Sequence, residues 1–111
     1  MMTTEEIVRQ VFHAYENGDA DALHALLADD FRFSAPNDPN LNKDAYLRRC
    51  WPFHDQGPCY KFEEFFVRDH RAVVLYTCTT KAGKKIRNAE YFSVRDGKVA
   101  EVDVFFGPDV R

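Results

Sequence analysis

From residue 85 to residue 106 apolar and polar residues alternate on a period of two, and the alternation is interrupted once, at Asp96-Gly97. A two-residue hairpin turn needs positive φ at its centre, which Asp-Gly supplies, so this pair joins two antiparallel strands. Alternation then assigns faces. Ile86, Asn88, Glu90, Phe92 and Val94 share one face; Arg87, Ala89, Tyr91, Ser93 and Arg95 share the other. The first set holds three large apolar residues and no cation, so it turns inward and takes Asn88 and Glu90 with it. On the second strand Ala100, Val102, Val104 and Phe106 are expected inward, and Glu101 and Asp103 outward. A strand that aims a carboxylate at its own interior is the main chemical signal in the chain.

Strands at about 60–67 and 72–80 precede this hairpin, with turns at "RDHR", "AGK" and "RDGK". The first half has a helical period instead. Thr3 and Glu6 suit a capping box, and Ile7, Val8, Val11, Phe12 and Tyr15 form one apolar stripe. "NGD" at 17–19 ends that helix and starts a second, which carries Ala22, Leu23, Leu26 and Leu27 inward. "FRFSAP" (31–36) is a short strand, "NDPNLN" a loop, and Asn42 caps a third helix that runs to about Trp51, before Pro52. Helices followed by an antiparallel meander give an α+β fold: three N-terminal helices packed on one face of a sheet.

With 111 residues, ten Phe, five Tyr and one Trp, residues 1–111 are expected to form a single domain with one core. A net charge of −3, with both signs interspersed, argues against nucleic-acid and membrane partners. The N-terminus has no basic stretch followed by an apolar run, and no segment is apolar over the ~20 residues a membrane helix needs. Three cysteines (Cys50, Cys59, Cys78) without a CxxC pair fit free thiols in a cytoplasmic setting. No His or Cys spacing suggests a metal, and no cofactor is expected. In the strand at 72–80, Val73, Val74, Leu75 and Tyr76 make both faces apolar. Helices cover one face, and a second copy of the chain covering the outer sheet face, as a homodimer, is expected for the other.

Three helices, the element "NGDADALHALLADDFRF" and the ending "AEYFSVRDGKVAEVDVFFG" resemble the nuclear-transport-factor-2-like superfamily, in particular its SnoaL-like branch, from about Glu5 to Gly107. The resemblance implies a curved antiparallel sheet wrapped around helices as a cone, with an apolar cavity at its open end. Its members include polyketide cyclases, ketosteroid isomerases, epoxide hydrolases, dehydratases and domains that only bind or associate, so the fold leaves the reaction open. Aligned with the isomerase pattern, Val11 falls at the helix Tyr position, Ala35 at the base and Glu90 at the strand acid. Two of three functional positions lack their chemistry, which argues against steroid isomerisation by that mechanism. Asp38, just beyond Pro36, would replace the base only with a shifted loop.

Glu90 is the candidate catalytic residue: a carboxyl in an apolar cone is pushed toward its neutral form and can donate, or take up, a proton. It reads equally as a core acid satisfied by Asn88, Tyr15 or water. Asn88 is a candidate for a ligand carbonyl, or a partner for Glu90. Tyr15 is either a cavity hydroxyl or, more commonly, a core ring with a satisfied tip. Trp51 is expected near the cone mouth, stacking on a flat ligand or packing. Phe33, Phe92, Val102, Val104 and Phe106 are core or cavity wall. His13, His24 and His70 are expected in solvent, and His54 near the mouth. "KAGKKIR" (81–87) reads as a solvated turn, or more remotely as a site for phosphate or an acidic partner. The expected ligand is an apolar or aromatic small molecule; any chemistry would be cofactor-free acid–base work, such as cyclisation or isomerisation, with non-catalytic binding or association as the competing reading.

Overall fold

The computed structural model describes residues 1–108; the last three residues of the expected domain lie outside it. Helix α1 (Thr4–Asn17) opens on the expected capping box: Thr3 accepts from the Glu6 amide, and the Glu6 carboxylate accepts from the Thr3 amide. Gly18 ends it, and Asp19 caps α2 (Ala20–Leu26) by accepting from the Ala22 amide. Strand β1 (Leu27–Ala35) follows directly, so it begins four residues before the expected 31–36. Asn42 caps α3 (Lys43–Cys50), accepting from the Ala45 amide at 2.9 Å. Pro52 does not stop the chain's winding but sits early in a 3-10 turn, Trp51–Gln56, where a missing amide hydrogen is tolerated.

The second half holds β3 (Cys59–Arg68), β4 (Arg71–Thr79), β5 (Lys85–Arg95) and β6 (Lys98–Phe106). Two features depart from the sequence expectation. The segment "NDPNLN" is not a loop throughout: Asp38–Asn42 forms β2, an edge strand antiparallel to β1. Pro39 is compatible with it because an edge strand leaves one row of amides unpaired. The sheet is also mixed rather than wholly antiparallel. Its order is β2-β1-β6-β5-β4-β3, and β1 runs parallel to β6. The helices between β1 and the meander let the last strand return beside the first, and alternation alone does not reveal that closure.

Register explains a further difference. Between β5 and β6, Phe92 faces Val102, but Ser93 faces Glu101 and Val94 faces Val99, so Ala100 is an extra residue. This bulge puts Val99, fully buried, inward in place of Ala100. On β4 the inner row is Ala72, Val74, Tyr76 and Cys78, all buried. Helix α1 crosses the sheet against β3, β4 and β6. Its Phe12 meets the edges of Tyr60, Phe62, Tyr76 and Phe92 with ring centroids 4.9–5.8 Å apart. The core thus lies between α1 and one face of the sheet.

The far end of β6 passes close to β5. Gly107 donates to the Arg87 carbonyl at 2.8 Å, and a Cβ on residue 107 would lie 2.4 Å from that oxygen. Because the obstacle is backbone, Gly107→Ala must push the strand end away. A loss of about 1–3 kcal/mol is expected, read from the urea midpoint.

Candidate functional site

Glu90 lies at the middle of β5, with Val74 across on β4 and Val104 across on β6. Both valines are buried, so the carboxyl is flanked by hydrocarbon on each side. It is not sealed in. Its side chain faces a cavity of about 680 Å³ between α1, α3 and the sheet, with protein on the remaining sides. Desolvation raises its pKa to about 7, against the opposing pull of the Tyr76 hydroxyl, which donates to Oε2. The Tyr76 oxygen in turn accepts from the Asn88 amide at 3.3 Å. Tyr76 stands opposite Asn88, one step diagonal from Glu90, which is how one hydroxyl meets both side chains. Burial and the adjacent carboxylate raise the Tyr76 pKa, so its phenol stays protonated and remains a donor.

A hydrogen bond to the ionised form favours ionisation. Tyr76→Phe is therefore expected to move the Glu90 midpoint above its wild-type value. Carboxyl-carbon NMR across pH 5–9 reads the change, and an unmoved or lowered midpoint would refute the coupling.

The cavity wall accounts for several sequence candidates. Asn88, Phe33, Val104 and Phe106 line it, the last half-exposed at the open end. Tyr15 lines it with its ring, but its hydroxyl is engaged with that of Tyr46 at 2.6 Å. Val11 and Ala35, the two positions that lack isomerase chemistry, also face the cavity, as apolar wall. Asp38 lines it too, held by Arg49 at 2.5 Å. Two candidates stand elsewhere. Phe92 is in the closed core, packed on Phe12. Trp51 is not in the wall: it backs Tyr15 at 5.1 Å and stacks on His54 at 4.3 Å and 20°. His54, expected near the mouth, is occupied there, its Nδ1 2.7 Å from the Trp51 carbonyl. His13, His24 and His70 are exposed.

The sequence reading missed Tyr76, Tyr46 and Tyr60. Tyr60 lines the cavity edge-on to Tyr76, with centroids 5.4 Å apart, and its pKa is raised by burial and by the charge of Glu90. A signal for Tyr76 existed: antiparallel pairing counted back from the "AGK" turn sets residue 76 opposite residue 88. Cys50 also lines the cavity, but burial, together with Asp38 and Glu90, raises its thiol to about 11. That is a neutral wall group at neutral pH rather than a nucleophile.

Helices clasped by a six-stranded mixed sheet, with a cavity between them, define the nuclear-transport-factor-2-like α+β cone. The chain belongs to the family of the SnoaL-like domain, whose model matches residues 8–102. Solved structures agree on the fold. An NTF2-like protein of unknown function from Cytophaga hutchinsonii superposes with a TM-score of 0.78 at 19% identity, covering 97% of this chain and 93% of that one. A protein from Kribbella flavida described as a "putative ketosteroid isomerase" gives 0.80 at 20% identity, over 97% and 80% of the two chains. IdmH of Streptomyces antibioticus, described as "a putative polyketide cyclase", gives 0.80 at 13% identity, over 94% and 91%. The comparison with curated proteins returns no match. At these identities the likeness concerns the fold. Among the described residues no helix is long and apolar enough to cross a membrane.

Proposed function

We propose that the cone binds an apolar or aromatic small molecule carrying a carbonyl group, and that Glu90 is its proton-handling residue. One observation carries this reading: a carboxyl with a pKa near 7 faces a cavity of about 680 Å³ and is held by Tyr76. A group that titrates near the working pH is suited to taking a proton and returning it. Asn88 and Glu90 occupy the Tyr76 phenol, and Tyr60 beside it would supply the hydroxyl for a carbonyl oxygen. The chemistry would be cofactor-free enolisation, the step shared by isomerisations and aldol-type cyclisations.

2-Tetralone in deuterated buffer tests this. Its benzylic protons should exchange faster with the wild-type protein than with buffer, and Glu90→Gln should remove the acceleration. Equal rates for the two proteins would refute catalysis by Glu90.

A second reading, binding without turnover, is favoured by Val11 and Ala35, which add no polar group at the other two isomerase positions. Under that reading, retained binding of 2-tetralone would accompany an unaccelerated exchange rate. The outer sheet face supports a partner proposal: Phe66 and Phe105 are 62% and 59% exposed, near Val73 and Leu75. A second copy of the chain would bury this apolar strip, and a monomeric mass by light scattering at micromolar concentration would refute it. Three free thiols are consistent with a reducing, cytoplasmic setting.

A further inference from the structure

The cavity has two chemically distinct ends. At the inner end stand neutral or near-neutral groups: the Tyr15–Tyr46 pair, and Tyr76 with Glu90. Its middle is hydrocarbon and aromatic. On its rim lie Arg49, Lys84 and Lys85, the last on the outward row of β5 that also carries Arg87. Arg49 is neutralised by Asp38, and Arg87 nearby forms two hydrogen bonds to Glu63, each 2.9 Å long. Lys84 and Lys85 have no ion-pair partner among the described residues.

These two lysines are not on a loose tip. Thr80, buried, closes the turn: its amide donates to the Lys84 carbonyl at 2.9 Å, and its hydroxyl accepts from the Lys84 amide at 3.1 Å. The Lys81 amide donates to the Gln56 carbonyl at 2.9 Å, which ties the turn to the end of the 3-10 segment beside it, where Gln56 also lines the cavity. The backbone carrying the two ammonium groups is therefore fixed at the rim. A basic rim is also no reflection of the chain's average, since the net charge is −3.

Resting on the ligand cavity proposed above, we propose that the ligand is an amphipathic acid. Its aromatic or aliphatic body fills the cone, and its carboxylate or other anionic group sits at the mouth beside Lys84, with Lys85 adding positive charge from the outer side of the same turn. An anion there gains Lys84 as a charge partner, and the nearby charge of Lys85, at the edge of a low-dielectric cavity, while its apolar body leaves water. The same rim fixes orientation, because an acid entering anionic end first would bring its charge to Glu90. The basic turn thereby selects which end of the ligand reaches Tyr76.

Two fluorescent probes that differ by one sulfonate test the inference on the full chain: 8-anilinonaphthalene-1-sulfonate and neutral N-phenyl-1-naphthylamine. In about 0.01 M salt the sulfonate should bind about fivefold more tightly, and the gap should narrow in 1 M salt. In the doubly substituted Lys84→Gln/Lys85→Gln protein the gap should close while the neutral probe keeps its affinity. Both lysines are exposed, so that protein should fold, as circular dichroism would verify. Equal affinities in the wild type, or a gap that survives the double substitution, would overturn the inference and leave the cavity reading intact. If neither probe binds the wild type, the cavity reading itself fails.

Discussion

Replacing Phe12 by Ala is expected to lower stability by about 3–5 kcal/mol, a large part of what a domain of this size possesses. Phe12 is 3% exposed and is the ring on which Tyr60, Phe62, Tyr76 and Phe92 converge edge-on. Truncation removes four such contacts together with the hydrophobic gain, and α1 cannot settle into the void while Val8 and Val11 hold it on either side. Phe12 also belongs to the cavity wall, so the void joins the cavity instead of closing. Urea unfolding gives the loss directly. Phe12→Leu, which keeps most of the volume, should recover more than half of it. A loss under 1 kcal/mol for the alanine variant would mean that the aromatic cluster does not hold α1 to the sheet.

Glu90→Gln is the second large effect, and its sign depends on pH. The carboxyl titrates at about 7 when folded, against 4.5 as its ordinary value. Between those values the folded state holds a proton that the unfolded state has lost. The contribution of Glu90 to stability is therefore fully present below pH 4.5 and is lost as pH rises through 7. Near pH 8 the ionised carboxyl leaves the wild type weaker by roughly 3 kcal/mol than in acid, as far as this group is concerned. Gln cannot ionise and can still accept from Tyr76. Glu90→Gln should thus be close to neutral at pH 4.5 and stabilising by up to roughly 3 kcal/mol at pH 8. The difference between the two proteins cancels the other titrating groups. A difference that stays flat from pH 4.5 to 8 would show that Glu90 has an ordinary carboxyl.

Local signals carried most of the architecture. Asp96-Gly97 fixed the last hairpin, whose turn residues have φ of 53° and 76°, and Thr3, Asp19 and Asn42 each begin a helix as their side chains require. The sequence was silent where the determinant is another strand. Asp38–Asn42 pairs only because β1 presents an edge to it, and its own Pro39 and two Asn read as loop. The parallel meeting of β1 with β6 joins residues some seventy apart, which no local period records.

The site was legible as far as Glu90 and Asn88, because alternation turns side chains inward whether or not they are apolar. Their mutual arrangement was not. Tyr76 rather than Asn88 binds the carboxyl, and that follows from the β4–β5 register. Trp51 follows the end of a helix, and a 3-10 turn rotated it away from the cavity and against His54. The "KAGKKIR" turn gained meaning only once Thr80 and the Gln56 carbonyl were seen to fix it at the mouth.

The inward carboxylate of β5 is the center of the account, and carbon-13 NMR of its side chain is the most direct test. Protein labelled at the Glu carboxyl carbons, with Glu90→Gln to assign the resonance, is titrated from pH 3 to pH 9. The Glu90 signal should titrate with a midpoint near 7. A midpoint near 4.5 would contradict the account, because it would place Glu90 in water rather than at the floor of an apolar cavity.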